Sequence, residues 1–169
     1  MSNLNWNELT PLQLGRFAEY YAKMELASYG FDVYTSEVDD HGIDFIAKSN
    51  RDTYFEFQVK SKYKSDYVFL VQSKFDITQK NLYLILIIFE LGKQPKCYLI
   101  PSSDWSIPND LLRVREYKET VSLPEYGLNL SKKNMKLLEH YDASIIIPQM
   151  LLKRGDVIDN LLQETKTVR

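Results

Sequence analysis

Cysteine is nearly absent from this 169-residue chain, where Cys97 stands alone. One thiol cannot close an internal disulfide, and no CxxC pair or Cys/His cluster is present to hold zinc. A reducing, cytoplasmic compartment is the expectation that follows. Glycine and proline are also scarce, six of each against twelve tyrosines and eight phenylalanines, which excludes a collagen-like repeat and a flexible scaffold. Long apolar runs are missing too. Leu82 to Phe89, bracketed by Asn81 and Glu90, is far short of the ~20 residues a membrane helix needs, so a buried strand is expected there. Met1 to Glu8 carries no basic segment leading into an apolar core, so no secretory signal is expected. A Gly-x-Ser-x-Gly elbow, a P-loop and a dinucleotide fingerprint are all absent, which removes the serine-hydrolase and nucleotide-loop classes.

What is present suits one α/β domain over residues 1–169: 44% hydrophobic and 26% charged residues supply a single well-buried core. A net charge of −2 disfavours a non-specific polyanion binder, but the charge is unevenly placed. Residues 1–47 hold two bases and eight acids, whereas residues 48–80 hold seven bases and four acids. An acidic stretch therefore abuts a basic one.

Thr10 as N-cap, Pro11 at the first helical position, Gln13 for a capping box and Gly30 as a stop predict a helix from Pro11 to Tyr29. Leu12, Gly15, Ala18, Ala22 and Leu26, widened by Leu14, Phe17 and Tyr21, form its packing stripe. Glu19 falls on that stripe, where a carboxylate is costly unless paired. Strands are expected at Phe31 to Val38, Ile43 to Lys48, Thr53 to Lys60, Asp66 to Val71, Leu82 to Phe89 and Lys96 to Ile100, with a turn or short helix at Lys74 to Lys80. Further on, a helix capped by Ser131 runs to about Tyr141, Ala143 to Ile147 reads as a short strand, and Gln149 to Glu164 as an amphipathic helix. The 131–165 region is thus a helical extension to a core at about 10–100.

The turn Ser49-Asn50-Arg51-Asp52 makes a hairpin of the second and third strands. Centred on Arg51, it sets Asp44 opposite Gln58, on one face with Lys60, and a slip of one residue would move Asp44 to the other face. The helix carrying Glu19 can cover the same sheet. Two carboxylates, an amide oxygen and a lysine suit a Mg²⁺ site for phosphodiester cleavage, with hard oxygens for the metal and an ammonium for the water or phosphate. As isolated residues, Glu56, Lys60, Lys62 and Lys64 equally read as a solvated edge of charges, with Glu19 in an ordinary salt bridge.

Gly15-Arg16-Phe17-Ala18-Glu19 on a helix, Gly42-Ile43-Asp44-Phe45 on a strand and Phe57-Gln58-Val59-Lys60 on the next, in that order, resemble the PD-(D/E)XK nuclease superfamily, restriction-endonuclease-like and Holliday-junction-resolvase-like. The resemblance spans about Leu12 to Ile100 and implies a mixed β-sheet flanked by helices, a Mg²⁺ or Mn²⁺ cofactor and DNA as substrate. It implies Glu19, Asp44 and Gln58 as metal ligands, with Lys60 completing the catalytic set. Gln58 stands where the family usually has Asp or Glu, as in some restriction nucleases. That departure removes a negative charge, leaves Glu56 as a candidate substitute, and keeps open a catalytically inactive nuclease-fold protein that binds nucleic acid or a protein partner.

In the nuclease reading, Lys62, Lys64, Lys74 and Lys80 contact phosphates, and Tyr63 and Tyr67 either stack on an exposed base or serve as sheet residues. His41 is a candidate base or phosphate contact, or an exposed turn residue. Cys97 is expected to be buried rather than nucleophilic. Met150, Leu151, Val157, Ile158, Leu161 and Leu162 form a stripe that either caps the chain's own sheet or joins a second copy in a homodimer.

Overall fold

The computed structural model describes residues 3–35, 42–117 and 122–152. Its first helix, α1 (Pro11–Ser28), begins as expected. The Thr10 side chain accepts from the Gln13 backbone N–H while Gln13 Oε1 accepts from the Thr10 N–H, a reciprocal cap that contributes about 1 kcal/mol. The stripe that packs is Leu14, Ala18, Ala22 and Leu26, whereas Leu12, expected to pack, is 83% exposed. It lies in the first turn, two residues before the i, i+4 row that touches the sheet.

Five strands form the main sheet in the order β1 (Asp32–Thr35), β2 (Phe45–Lys48), β3 (Tyr54–Lys62), β5 (Leu82–Ile88) and β6 (Lys96–Pro101). All neighbours are antiparallel except β3 and β5, which run parallel. The fold is therefore α/β around a mixed sheet. Alternation assigns its two faces. Phe55, Phe57, Val59, Ile85, Ile87 and Leu99 pack under α1, while Leu82, Leu84, Leu86, Ile88 and Ile100 pack in a second apolar cluster behind the sheet. β5 thus buries both faces, which is why its sequence is an unbroken apolar run.

The parallel step from β3 to β5 requires a crossover. It is made through β4 (Tyr67–Val71) and a 3-10 turn at Gln72–Lys74. β4 joins a second, three-stranded sheet with β8 (Glu125–Asn129) and β7 (Leu112–Arg115), in the order β4-β8-β7. β7 and β8 have no counterpart among the expected strands, because four residues reading Leu-Arg-Val-Arg and five reading Glu-Tyr-Gly-Leu-Asn carry too little periodicity to stand out.

Two expectations fail near the C-terminus. Ser131 caps no helix by its side chain, and the segment after it is broken into a 3-10 turn, the four-residue α2 (Met135–Leu138) and another 3-10 turn. Ala143 to Ile147 is not a strand but the start of α3 (Ala143–Leu151). Asp142 caps it by accepting the Ser144 N–H at 2.9 Å, and Ala143 and Ile147, one turn apart, bury against the α1 side. That packing overrides the weak helix preference of the three consecutive isoleucines. Met150 and Leu151 pack against the same cluster, so this end of the stripe caps the chain's own sheet. Val157, Ile158, Leu161 and Leu162 lie outside the described residues.

Candidate active site

The hairpin register is the one a turn centred on Arg51 requires: Phe45 pairs with Phe57, Ile46 with Glu56 and Ala47 with Phe55. β2 is short, so β3 continues past it. Where the ladder ends, Asp44 donates its backbone N–H to the Phe57 carbonyl at 2.9 Å, and its carboxylate accepts the Val59 N–H at 2.5 Å. The side chain thereby stands in for the next backbone acceptor. This fixes an aspartate at the fork where β2 leaves β3, through a charge-assisted bond stronger than an ordinary ladder contact.

Gln58 and Lys60 project from the face of β3 opposite α1, beside Leu84 and Leu86 of β5. Gln58 is only 8% exposed and its Oε1 is buried with no hydrogen-bond partner among the described residues, an arrangement that ordinarily costs a few kcal/mol. Lys60 is half-buried and its ammonium makes no ion pair or hydrogen bond among the described residues. Gly42 explains how the chain reaches this point. Its φ is +78°, and a Cβ there would lie 3.0 Å from the Lys74 carbonyl oxygen and 3.1 Å from Gln58 Nε2. Only glycine lets the backbone pass between the 3-10 turn and the amide of Gln58. Sequence reasoning missed this clamp; its one trace was the glycine two residues before Asp44.

Glu19 is not joined to this group. α1 covers the other face of β3, and the Glu19 carboxylate is held by Arg16 at 2.6 Å; no described contact connects it with Asp44, Gln58 or Lys60. Among the described residues no three His, Cys, Asp or Glu side chains gather as a metal centre. The donor type nevertheless suits a hard divalent cation: Asp44 brings a carboxylate and Gln58 an orphaned amide oxygen, both oxygen ligands of the kind magnesium requires. Glu56 lies on the same face as Gln58 but about 7 Å back along the strand.

The basic residues are spread rather than gathered. Lys62 is the next lysine along the Lys60 face, with Asp66 at 4.0 Å, and Lys64 donates to Asn7 Oδ1 at 2.6 Å beyond the strand end. Lys74 sits over Gly42, and exposed Lys80 precedes β5 at the far end. Tyr67 is not a stacking platform, since its hydroxyl donates to Glu125 at 2.7 Å and Arg115 covers its ring at 4.4 Å. Burial and the neighbouring carboxylate push that phenol well above its ordinary range. Cys97 is buried, and desolvation raises its thiol far from the reactive range. His41 lies outside the described residues.

Among solved structures, a bacterial homing endonuclease superposes with a TM-score of 0.54 at 15% identity, over 89% of this chain and 98% of that one. The chain has the restriction-endonuclease-like, PD-(D/E)XK fold. A Holliday junction resolvase, Hjc from Archaeoglobus fulgidus, matches with a TM-score of 0.45 at 18% identity, over 69% of this chain and 84% of that one. No protein-family model and no curated protein matches the sequence. The fork carrying Asp44, Gln58 and Lys60 joins two of the three sequence motifs, and the one ending in Glu19 lies on the α1 side. Among the described residues no helix is long and apolar enough to cross a membrane.

Proposed function

We propose that this protein is a divalent-metal-dependent nuclease that hydrolyses phosphodiester bonds in DNA. The observation that carries the reading is the fork, where a carboxylate anchored on Val59 N–H adjoins, on one hairpin, a buried amide oxygen and a half-buried ammonium that have no partner among the described residues. The orphaned amide oxygen is costly in a resting protein and useful beside a cation, and the ammonium is useful beside a phosphate.

Asp44 and Gln58 would hold Mg²⁺ or Mn²⁺, while Glu19, paired with Arg16 on the α1 side of the sheet, stays outside that ligand set. The metal supplies water activation at neutral pH and neutralises charge on the phosphate. Lys60 orients a non-bridging phosphate oxygen or the attacking water and stabilises charge developing there. Lys74 and Lys80, both exposed, and Lys62 and Lys64 further along contact the phosphate backbone without reading sequence. A second copy, joined through the apolar stripe read from the C-terminal sequence, would set two cutting sites in a fixed relation.

The decisive experiment incubates the protein with a junction, a nicked duplex, single-stranded DNA and RNA, each with Mg²⁺, Mn²⁺ or EDTA. Cleavage of DNA with metal, lost in EDTA and in Lys60→Ala, is the expected result. Binding to DNA without cleavage under every metal would replace this reading with a non-catalytic nuclease-fold protein, the alternative favoured by Gln58 in a carboxylate position and by the Arg16–Glu19 pair.

A further inference from the structure

Beside the Gly42 clamp, with Lys74 in common, lies a cleft of about 450 Å³, within the ~300–1,000 Å³ usual for small-molecule sites. Its walls are mixed. Ile43, Ile46 and Leu82 give apolar surface, while Glu56, Lys74 and Gln79 give polar groups. Two carboxylates line it, and they differ in one respect. Asp76 is partly committed, its Oδ1 accepting both the Thr78 N–H at 2.9 Å and the Thr78 hydroxyl at 2.7 Å, whereas the carboxylate of half-buried Glu56 makes no hydrogen bond or ion pair among the described residues.

That inventory selects the ligand. Two carboxylates against a single lysine disfavour an anion such as a free phosphate. A bare divalent cation would find apolar walls and no gathering of three His, Cys, Asp or Glu side chains among the described residues, too few charged oxygens for its shell. What fits is a flat, largely neutral molecule whose edge offers two N–H donors to one carboxylate and an acceptor to a lysine or amide. Among the nucleobases guanine has this edge, with N1–H and the 2-amino group side by side and O6 beside them. Cytosine and adenine offer only one amino group, next to a ring nitrogen that would face the carboxylate's lone pairs.

We propose that this cleft binds a guanine base, with Glu56 accepting from N1–H and the 2-amino group and Lys74 or Gln79 donating to O6. The base comes either from a free nucleoside or from a nucleotide turned out of a nucleic-acid strand. Only the second source rests on the nuclease reading.

The test needs neither metal nor cleavage. Guanosine, inosine and adenosine are titrated against the full chain by saturation-transfer NMR, alongside an oligothymidine carrying one central guanine and its inosine counterpart by fluorescence anisotropy, in wild type and Glu56→Gln. Guanosine is expected to bind about tenfold more tightly than inosine, which lacks the 2-amino donor, and Glu56→Gln is expected to erase that preference. A guanine oligonucleotide bound at least tenfold more tightly than guanosine identifies the strand as the source; equal affinities identify the free nucleoside. If neither arm prefers guanine to inosine, or if Glu56→Gln keeps the preference, the proposal is overturned while DNA cleavage at Asp44 and Lys60 stands untouched. A guanosine preference in a protein that cuts no nucleic acid leaves the cleft assignment standing and overturns the nuclease reading alone.

Discussion

Replacing Asp44 separates two roles, because the structure gives the carboxylate a backbone partner and the proposed function gives it a cation. In Asp44→Ala the Val59 N–H, at the point where β2 no longer borders β3, loses its acceptor. Val59 is only 9% exposed, so water replaces that bond poorly, and the cost is about 1–3 kcal/mol. For a chain of this size about 1 kcal/mol lowers Tm by roughly 2–4 °C, so a fall of several degrees is expected in a thermal melt. Asp44→Asn keeps an oxygen for Val59 and removes only the charge. Its melt should stay within about 2 °C of wild type while metal-dependent cleavage falls on the order of a hundredfold or more, since the charge stabilisation a metal supplies is worth several kcal/mol and each ~1.4 kcal/mol is tenfold in rate. Asparagine destabilising as much as alanine would refute the backbone argument. Wild-type cleavage in Asp44→Asn would remove Asp44 from the site.

Gln58→Glu puts a charged oxygen where an unpartnered amide oxygen is buried, and should tighten Mg²⁺ or Mn²⁺ binding in calorimetry; unchanged affinity would place Gln58 outside the metal's ligands. Gly42→Ala must hold φ near +78° and push against the Lys74 carbonyl, so a stability loss of about 1–3 kcal/mol by urea titration is expected, together with weaker metal binding through the displaced Gln58. In Gly127→Ala the new methyl falls on the Tyr67 ring and hydroxyl, breaking the bond to Glu125 and lowering Tm by several degrees without altering metal affinity. Truncation after Leu152 should leave a folded chain, because Ile147, Met150 and Leu151 are retained; the same number of copies in solution before and after truncation would reject a second copy joined through the removed segment.

Local chemistry was legible in the sequence wherever neighbours along the chain decide it. Thr10, Pro11 and Gln13 mark the start of α1 because a cap is made within four residues, and the turn around Arg51 sets the β2–β3 register because a hairpin is a local object. The apolar run at Leu82 announced a strand buried on both faces. Three motifs in order pointed to the fold. What the sequence could not settle depends on partners distant along the chain. Pairing of β4 with β8 brings Tyr67 to Glu125, 58 residues away, and retires it as a base-stacking residue. Burial of Ala143 and Ile147 turned an isoleucine-rich segment into a helix. α1 covers the face of β3 opposite Gln58 and Lys60, so Glu19, whose spacing suggested an approach to Asp44, is instead held by Arg16. Side-chain period follows from backbone geometry and can be read in advance; which face meets which layer depends on the minimum of the whole packed core, which no short window contains.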